Sequence, residues 1–235
     1  MLIFYNNLNN KREKYMNIIS KILSIQVGKV VTLGDENSSN ITKKQITTAS
    51  YKHPIFTEAK VTKLSIIGDS VADTIHHGGV DKAIFANSFK NYKRWQEFLN
   101  KDELSFGALG ENLTFEGIDE EDVCIGDVHK IGSVTLEVSQ PRQPCWKISR
   151  MWEQKDFMQE IYTSGRTGWY YRVLQEGSFK ANDMVELVSR VQNPITILEA
   201  NKVMRNPKEN QSQSQELLSL DILALAWSNG LRKKL

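Results

Sequence analysis

Short apolar stretches, separated by glycine and by polar turn residues, dominate the chain up to about residue 192. The first stretch, residues 22–33, is rich in isoleucine and valine and is interrupted by Gly28, which predicts a strand with a bulge or a close backbone approach at the glycine. Many short strands with few helices between them favour a β-barrel over a parallel α/β sheet. Comparable stretches predict strands at residues 61–67, 82–86, 113–115, 123–125, 128–131, 134–138, 169–174 and 184–191.

Helical spacing of apolar residues occurs in two segments inside this β-rich region. Residues 88–100 carry apolar side chains that would share one helix face, and Ser88 is a suitable N-cap. Residues 156–162 show the same spacing over a shorter length. With these two insertions, the predicted fold class is still mainly β.

The pattern changes near residue 193, where helical spacing replaces the short strands. Apolar residues recur at this spacing over residues 195–204 and 215–229, and the polar residues 206–214 between them predict a linker or turn. We therefore expect a barrel domain over residues 16–192 and a small C-terminal helical domain over residues 193–235.

Composition excludes several classes of partner. The 235 residues carry 30 basic and 28 acidic side chains, a formal net charge of +2, whereas a nucleic-acid polymer would select a basic stripe. No apolar run approaches the roughly 20 residues that a bilayer span requires, so we expect no membrane contact. Two cysteines without framework spacing fit a reducing compartment, which predicts a cytoplasmic location. The sequence leaves the oligomeric state open.

Cys145 has the most unusual chemical setting in the chain. Pro144 suits the first position of a helix, which would place Cys145 in the first helical turn, where the helix dipole stabilises a thiolate. Arg142 and Lys147 would act in the same direction, and a thiolate serves as a nucleophile, a redox centre or a soft metal ligand. The alternative is a buried structural thiol, which is the role we expect for Cys124 in its apolar surroundings.

Three further segments carry candidate site residues, although each alone is also explained as a turn or an exposed strand position. In one segment, histidines that can donate a proton near neutral pH precede two glycines whose amides can cradle an anion. The sequence leaves open which of the two histidines faces a site. In the others, a carboxylate and an amide follow a glycine-rich turn, and a lysine follows the glycine of the first strand. The segments are His76-His77-Gly78-Gly79, Gly110-Glu111-Asn112-Leu113 and Gly28-Lys29.

Taken together and in this order, these segments resemble the MOSC domain family, named for the C-terminal domain of molybdenum cofactor sulfurases. The chain is most similar to the small, stand-alone, YiiM-like bacterial branch, over residues 22–190 and on into the helical tail. The resemblance implies a MOSC-type β-barrel followed by a three-helix domain. The matching residues are Val27-Gly28-Lys29-Val30, His77-Gly78-Gly79, Asp81-Lys82-Ala83, Gly110-Glu111-Asn112-Leu113, Gln140-Pro141-Arg142 and Pro144-Cys145.

The resemblance also implies a cofactor, the molybdenum cofactor (molybdopterin), a pterin dithiolene with a phosphate. Cys145 matches the expected protein ligand to molybdenum, and Cys145, His77 and Arg142 are the predicted catalytic residues. His77 would deliver a proton. Cations would neutralise the phosphate or an anionic substrate group, and amide side chains would bond the pterin edge. The predicted cofactor-binding set is Lys29, His77, Gly78, Gly79, Lys82, Asn112, Gln140, Arg142 and Cys145.

The function that the resemblance implies is reduction of N-hydroxylated small molecules, such as N-hydroxylated purine bases or hydroxylamines, which would detoxify modified bases. Since the sequence has no convincing flavin, haem or iron–sulfur motif, a separate reductase would be the electron donor. Two alternatives remain open. One is a non-catalytic cofactor carrier or sulfur-delivery protein that holds its cargo on Cys145, and the other is a thiol enzyme without a metal.

Residues 1–15 are a polar leader that we interpret as a mis-annotated start or a disordered tail. The Lys-Arg-Glu triplet at residues 11–13 is what a translated, purine-rich ribosome-binding site would give, and Met16 follows it. N-terminal sequencing of the native protein is therefore expected to begin at Met16. Recovery of a peptide that covers residues 6–14 would contradict this start.

Overall fold

The computed structural model describes residues 18–235, so the predicted leader and the start at Met16 lie outside the described residues. The first half of this region holds the strands β1 (Ile18–Gly28), β2 (Val31–Leu33), β3 (Ile46–Thr48), β4 (Lys52–Ile55), β5 (Ala59–Val61), β6 (Ile84–Ser88) and β7 (Leu113–Glu116), with helix α1 (Tyr92–Leu99) before β7. The second half holds β8 (Val128–Ile131), β9 (Val134–Pro141), α2 (Lys147–Met151), α3 (Phe157–Ser164), β10 (Trp169–Gln175), β11 (Gly177–Phe179) and β12 (Met184–Ser189). The chain then continues through α4 (Ile197–Arg205), α5 (Gln211–Leu218) and α6 (Leu225–Arg232).

Seven of these strands close into a barrel. From β1 the hydrogen-bonded neighbours run through β12, β8, β9, β10, β6 and β7, and β7 pairs with β1 again. The pairs are antiparallel except for β6 with β7, whose parallel arrangement is permitted by the long connection through α1. The short strand β4 adds to β1 outside the ring. The predicted mainly β fold, a barrel with inserted helices, is confirmed.

Alternation along β9 shows why the sequence folds in this way. Val134, Leu136 and Val138 are fully buried, while Thr135 and Glu137 between them are partly exposed. Successive side chains of a strand point to opposite faces, so this pattern turns one face of β9 towards the barrel interior. Apolar residues of the other ring strands fill the same core.

Helix α1 forms on the predicted face, while the predicted cap, Ser88, begins the 3₁₀ turn that precedes it. The side chain of Ser88 accepts a hydrogen bond from the Lys90 backbone N–H at 3.1 Å. One turn of 3₁₀-helix follows before α1, which buries Tyr92, Trp95 and Leu99. The helix ends where Asn100 takes a left-handed conformation with φ of 52°.

Two predicted strands do not form in the described residues. β5 ends at Val61, and the chain then turns back so that Ile66 bridges to Val61. Residues 123–125 make only an isolated bridge to Thr196, although Val123 and Ile125 are buried. Residues 123–125 are apolar because they are buried in a packed loop, whereas in the turn that follows β5 only Ile66 is buried and Leu64 and Ile67 are exposed.

The predicted helix at residues 215–229 is two helices. α5 already begins at Gln211, inside the predicted linker, and the chain turns between Leu218 and Leu225. In this turn the Ala224 N–H donates to the carbonyl of Ser139 on β9 at 3.0 Å. A tertiary contact therefore breaks the helical pattern.

Helices α4, α5 and α6 pack on the barrel and share its core. Thr196 and Glu199 form a capping box that begins α4. Apolar residues from the helices, including Val203, Trp227 and Leu231, belong to the same buried cluster as the barrel residues. None of the helices within residues 18–235 has both the length and the apolar character needed to cross a membrane.

Buried His129 predicts an acid-dependent loss of stability. It lies in the barrel, 2.7 Å from the hydroxyl of Tyr171, and burial lowers the pKa of His129 from 6.5 to about 4 against the opposing charge of Asp127. Between those two values the unfolded chain binds a proton that the folded chain does not. The free energy of unfolding should therefore fall as the pH drops through this window, by up to about 1.4 kcal/mol per pH unit.

Chemical denaturation at a series of pH values, beside the variant His129→Gln, measures this effect. Glutamine does not titrate, so the variant should show a shallower pH dependence between pH 6.5 and 4. Comparison of the two slopes removes the contribution of carboxylates common to both proteins. Equal slopes would exclude His129 as the source.

Candidate active site

A cleft opens where four segments of the chain meet. Gly28 on β1 permits this arrangement, because a Cβ atom there would lie 2.3 Å from the carbonyl oxygen of Ala49. This is the close backbone approach expected at that glycine, and it places the chain before β4 against the barrel. The walls come from residues 48–52, residues 69–73 with His77, residues 109–112, and the segment from Arg142 to Met151.

Cys145 lies in the cleft wall but not in a helical turn. Helix α2 begins at Lys147, two residues later, and Trp146 occupies its N-cap position. The carbonyl of Cys145 accepts a hydrogen bond from the Ile148 N–H at 3.0 Å, which orients the residue at the entrance to the helix. The prediction that Pro144 opens the helix is wrong, since residues 142–145 belong to no helix and α2 begins only at Lys147. Cys145 is a free, partly exposed thiol.

Arg142 is buried in the cleft wall without a carboxylate partner. The residue is only 8% exposed, yet it forms no ion pair within residues 18–235. One terminal nitrogen, Nη1, has no hydrogen-bond partner in the described part of the chain, and Nη2 lies 3.5 Å from the carbonyl of Leu109. Burial lowers the pKa of Arg142, while the nearby Tyr170 hydroxyl and the Glu111 carboxylate oppose this shift without forming an ion pair. The guanidinium lies over the ring of Phe85, 5.1 Å from its centre. Such a cation is suited to an anion that enters the cleft.

Other cations surround the same space. Lys82 reaches the carbonyl of His76 at 2.6 Å, and Lys147 reaches the carbonyl of Thr47 at 2.8 Å, so neutral acceptors hold both lysines. Burial lowers the pKa of Lys82, with Asp81 opposing it. The charged groups that line the cleft are Lys52, Lys82, Arg142 and Lys147, with Asp69 and Asp73. Four positive and two negative groups thus line the cleft, which leaves an excess of two positive charges.

Lys52 and Asp69 form a buried ion pair that no pattern in the sequence predicts. Lys52 Nζ lies 2.6 Å from the carboxylate, and both side chains are almost completely buried. The same carboxylate accepts from the Gly28 N–H at 2.8 Å and from the Asn112 amide at 2.7 Å. Asp69 thus joins β1, β4 and the chain before β7 at the cleft floor. A lysine in a short exposed-looking strand carries no sequence signal for such a role.

Asn112 lines the cleft with its side chain fully engaged by the protein. Its Oδ1 accepts from the Phe85 N–H at 3.1 Å, and its Nδ2 donates to Asp69 and, at 3.2 Å, to the Gln26 carbonyl. These bonds orient the wall, so the structure supports a positioning task for Asn112. The direct contact of Asn112 to a pterin stays a prediction.

Of the two adjacent histidines, His77 faces the cleft. His76 is exposed and pairs with Asp73 at 3.0 Å. Burial, followed by the positive charge of Arg142, lowers the pKa of His77, and Lys82 and Lys147 act in the same direction. His77 is therefore neutral near pH 7 and would gain proton affinity when an anion neutralises its cationic neighbours.

Four predicted site residues lie outside the cleft wall. Lys29 is exposed on the chain after β1, and Gly79 is open to solvent on the side where a side chain would stand. Gly78 packs against its own turn at Thr74. Gln140 is buried on β9 with its Nε2 on the Pro141 carbonyl at 3.1 Å. Anion binding by the glycine amides and by Lys29 has no support from this arrangement.

Cys124 is a core residue, as expected. It is 1% exposed, and burial raises the pKa of the Cys124 thiol to about 11, which keeps it protonated. Of the two cysteines, only Cys145 is therefore available to a ligand. The cleft combines this soft donor with buried cations, a neutral histidine and the aromatic faces of Phe85 and Tyr170, whose ring centres lie 5.3 Å apart. It can hold a planar anionic group beside a thiol.

Sequence comparison shows the family to which this fold and cleft belong. Residues 73–186 match the family model of the MOSC domain. The protein YflK of Bacillus subtilis is 35% identical over 224 residues, which cover 95% of this chain and 96% of that protein. The chain therefore belongs to the MOSC domain family, as the sequence motifs predicted.

Two further comparisons show which proteins of known structure or named activity the chain resembles. The crystal structure of YiiM from Geobacillus stearothermophilus superposes with a TM-score of 0.75 and 30% identity, over 92% of this chain and 98% of that one. The match to almost all of YiiM indicates the stand-alone branch of the family. A protein named "Reductase" from Gibberella moniliformis is 32% identical over 78% of this chain, which corresponds to 32% of that longer protein.

The ion pair between Lys52 and Asp69 should contribute strongly to folding. Asp69→Asn leaves a buried ammonium without its counterion, so we expect a loss of about 3 kcal/mol in the free energy of unfolding. Lys52→Met should also destabilise, and the double variant should lose less than the sum of the two single changes. Denaturant titration measures all three proteins.

The exposed pair of Lys21 with Glu116 provides the matched control. Lys21→Met should cost less than about 1 kcal/mol, because solvent screens that pair. Strictly additive losses for Asp69→Asn and Lys52→Met would show that the two side chains do not interact energetically.

Proposed function

We propose that this protein is a molybdenum-cofactor-dependent reductase that converts N-hydroxylated small molecules to amines. The single observation that carries the proposal is the buried, unpaired guanidinium of Arg142 in the same cleft as the free thiol of Cys145. Membership of the MOSC family and the similarity to a protein named "Reductase" support the reaction class.

The residues present fit the proposed cofactor. A buried cation without a counterion is costly unless a ligand supplies the opposite charge, and the phosphate of the cofactor would do so at Arg142. Lys82 and Lys147 would add charge-assisted hydrogen bonds from the same cleft. The Cys145 thiol, as thiolate, is a suitable ligand for a soft metal centre. Phe85 and Tyr170 would offer apolar faces to a flat ring system.

The reaction consumes two electrons and two protons, cleaves the N–O bond and releases water: R–NHOH + 2e⁻ + 2H⁺ gives R–NH₂ + H₂O. When bound, the molybdenum cofactor would supply the two-electron chemistry. His77 would hold a proton on its imidazole ring and donate it to the departing hydroxyl group. The anionic ligand would raise the proton affinity of His77, since it offsets the charges of Arg142, Lys82 and Lys147. A separate reductase would deliver the electrons.

Two other functions use the same residues differently. A carrier or sulfur-delivery protein would bind the cofactor or a persulfide at Cys145 and would not turn over. A thiol enzyme would react at Cys145 with no dependence on molybdenum. The position of His77 beside the cations favours the reductase, because an anionic ligand would let its imidazole take up a proton, and binding alone has no need of a proton donor.

Metal analysis and turnover of protein expressed with molybdate test the proposal. The parent should contain close to one molybdenum per chain and should reduce an N-hydroxylated purine with a reduced viologen as electron donor. Cys145→Ala should lose most of the molybdenum and the turnover, while Cys124→Ala should retain both, because Cys124 is sealed in the core. Arg142→Met should lower cofactor content at least tenfold through the lost charge-assisted bonds.

The outcomes separate the three functions. Stoichiometric molybdenum without turnover would favour the carrier. A folded parent that holds no molybdenum after incubation with excess cofactor, and whose Cys145 still reacts with a thiol reagent, would favour the thiol enzyme. Either result would reject the reductase.

A further inference from the structure

We propose that Arg172 is a positioning residue, through which the C-terminal helical segment holds the cleft loop that carries His77 and Lys82. The effect on catalysis rests on the proposed function, whereas the effect on the loop does not. Arg172 lies on β10, and its side chain does not line the cleft.

The guanidinium of Arg172 binds three separate parts of the chain. Its Nε donates to Asp81 Oδ1 at 2.8 Å, and its Nη2 lies 2.6 Å from the same oxygen. Nη1 pairs with Glu137 on β9. Both terminal nitrogens also lie 3.4 Å from the carbonyl of Ile222, in the turn between α5 and α6. One side chain therefore touches the cleft loop, the barrel wall and the C-terminal turn.

A second residue makes the same connection through the backbone. Ser139 Oγ donates to the carbonyl of Asp81 at 2.5 Å, and the carbonyl of Ser139 accepts from the Ala224 N–H at 3.0 Å. Asp81 is thus held at its carboxylate by Arg172 and at its carbonyl by Ser139. Each of these two holders also bonds the turn at residues 222–224.

Asp81 is connected to the cleft through the next residue, Lys82. Lys82 lines the cleft, and its Nζ donates to the carbonyl of His76 at 2.6 Å, next to His77. On the other side, Gly79 has φ of 94° and nothing within 4 Å of the place where its Cβ would stand. The Gly79 carbonyl accepts a hydrogen bond from the Lys82 N–H at 3.0 Å, so the turn that follows His77 is joined to the segment that Asp81 anchors.

Removal of the guanidinium would leave the carboxylates of Asp81 and Glu137 facing each other without the cation between them. Their repulsion would push Asp81 away from β9 and β10 and would release the loop. The helical turn at Ile222 would lose the same anchor. This arrangement gives the C-terminal helices a part in the geometry of the cleft, besides their burial of apolar surface.

Hydrogen exchange of the full-length protein, followed by mass spectrometry, tests the connection without any activity measurement. Arg172→Met should raise the exchange of peptides covering residues 73–83 about tenfold, with a smaller rise at residues 219–224. Asp81→Asn should also raise exchange in the loop, and the double variant should add little to Arg172→Met. Arg172→Lys, which keeps a cation near Asp81, should restore part of the protection.

Arg166→Met is the matched control, since Arg166 has a similar exposure and also pairs with carboxylates, at Asp119 and Glu121. It should leave exchange at residues 73–83 unchanged. Unchanged exchange of this loop in Arg172→Met, or an equal increase in Arg166→Met, would overturn the proposal.

Turnover provides the second readout. In molybdenum-loaded protein, Arg172→Met should lower kcat for the N-hydroxylated substrate about tenfold with little change in KM, because the proton donor His77 is displaced. A fall in thermal stability alone would not produce this split. If the parent shows no turnover, the proposed function fails, and the exchange experiment still decides whether Arg172 positions the loop.

Discussion

Strand β1 is the constraint on which the barrel and the cleft both depend. Its backbone pairs with β12 and β7, which closes the ring, and its last residues pair with β4. Gly28 ends the strand and admits the carbonyl of Ala49 at a distance that no side chain would allow. The Gly28 N–H then binds Asp69, which holds Lys52 and Asn112. The same strand that closes the barrel therefore also fixes the residues at the cleft floor.

The cleft departs from the usual rule that a buried charge is paired with an opposite charge. Burial of Arg142 without a carboxylate costs free energy, and Lys82 and Lys147 are held by carbonyl oxygens rather than by anions. Outside the cleft, by contrast, Arg166 pairs with Asp119 and Arg172 pairs with Asp81. An anionic ligand in the cleft would offset this cost, which supports the proposed function.

Some features were predictable because they depend on local patterns. Alternation in β9, the Ser88 cap and the face of α1 follow from spacing alone, and so does the mainly β fold. The apolar runs at residues 61–67 and 123–125 do not form the predicted strands, because the first turns back with Leu64 and Ile67 exposed and the second is buried in a loop. The end of the helix before α6 could not be predicted from apolar spacing either, because it depends on a hydrogen bond from the Ala224 N–H to Ser139 on β9.

The features of the site likewise divide into those that the sequence predicts and those that only the structure shows. The sequence by itself determined that a cysteine between basic residues, Cys145, a histidine pair and Arg142 occur in the order typical of one family. Only the tertiary structure decided that His77 rather than His76 faces the cleft, that Lys52 replaces Lys29 among the cleft cations, and that Arg172 connects the loop to the C-terminal turn. Charge pairing and burial arise between segments far apart in the chain, and local spacing carries no record of them.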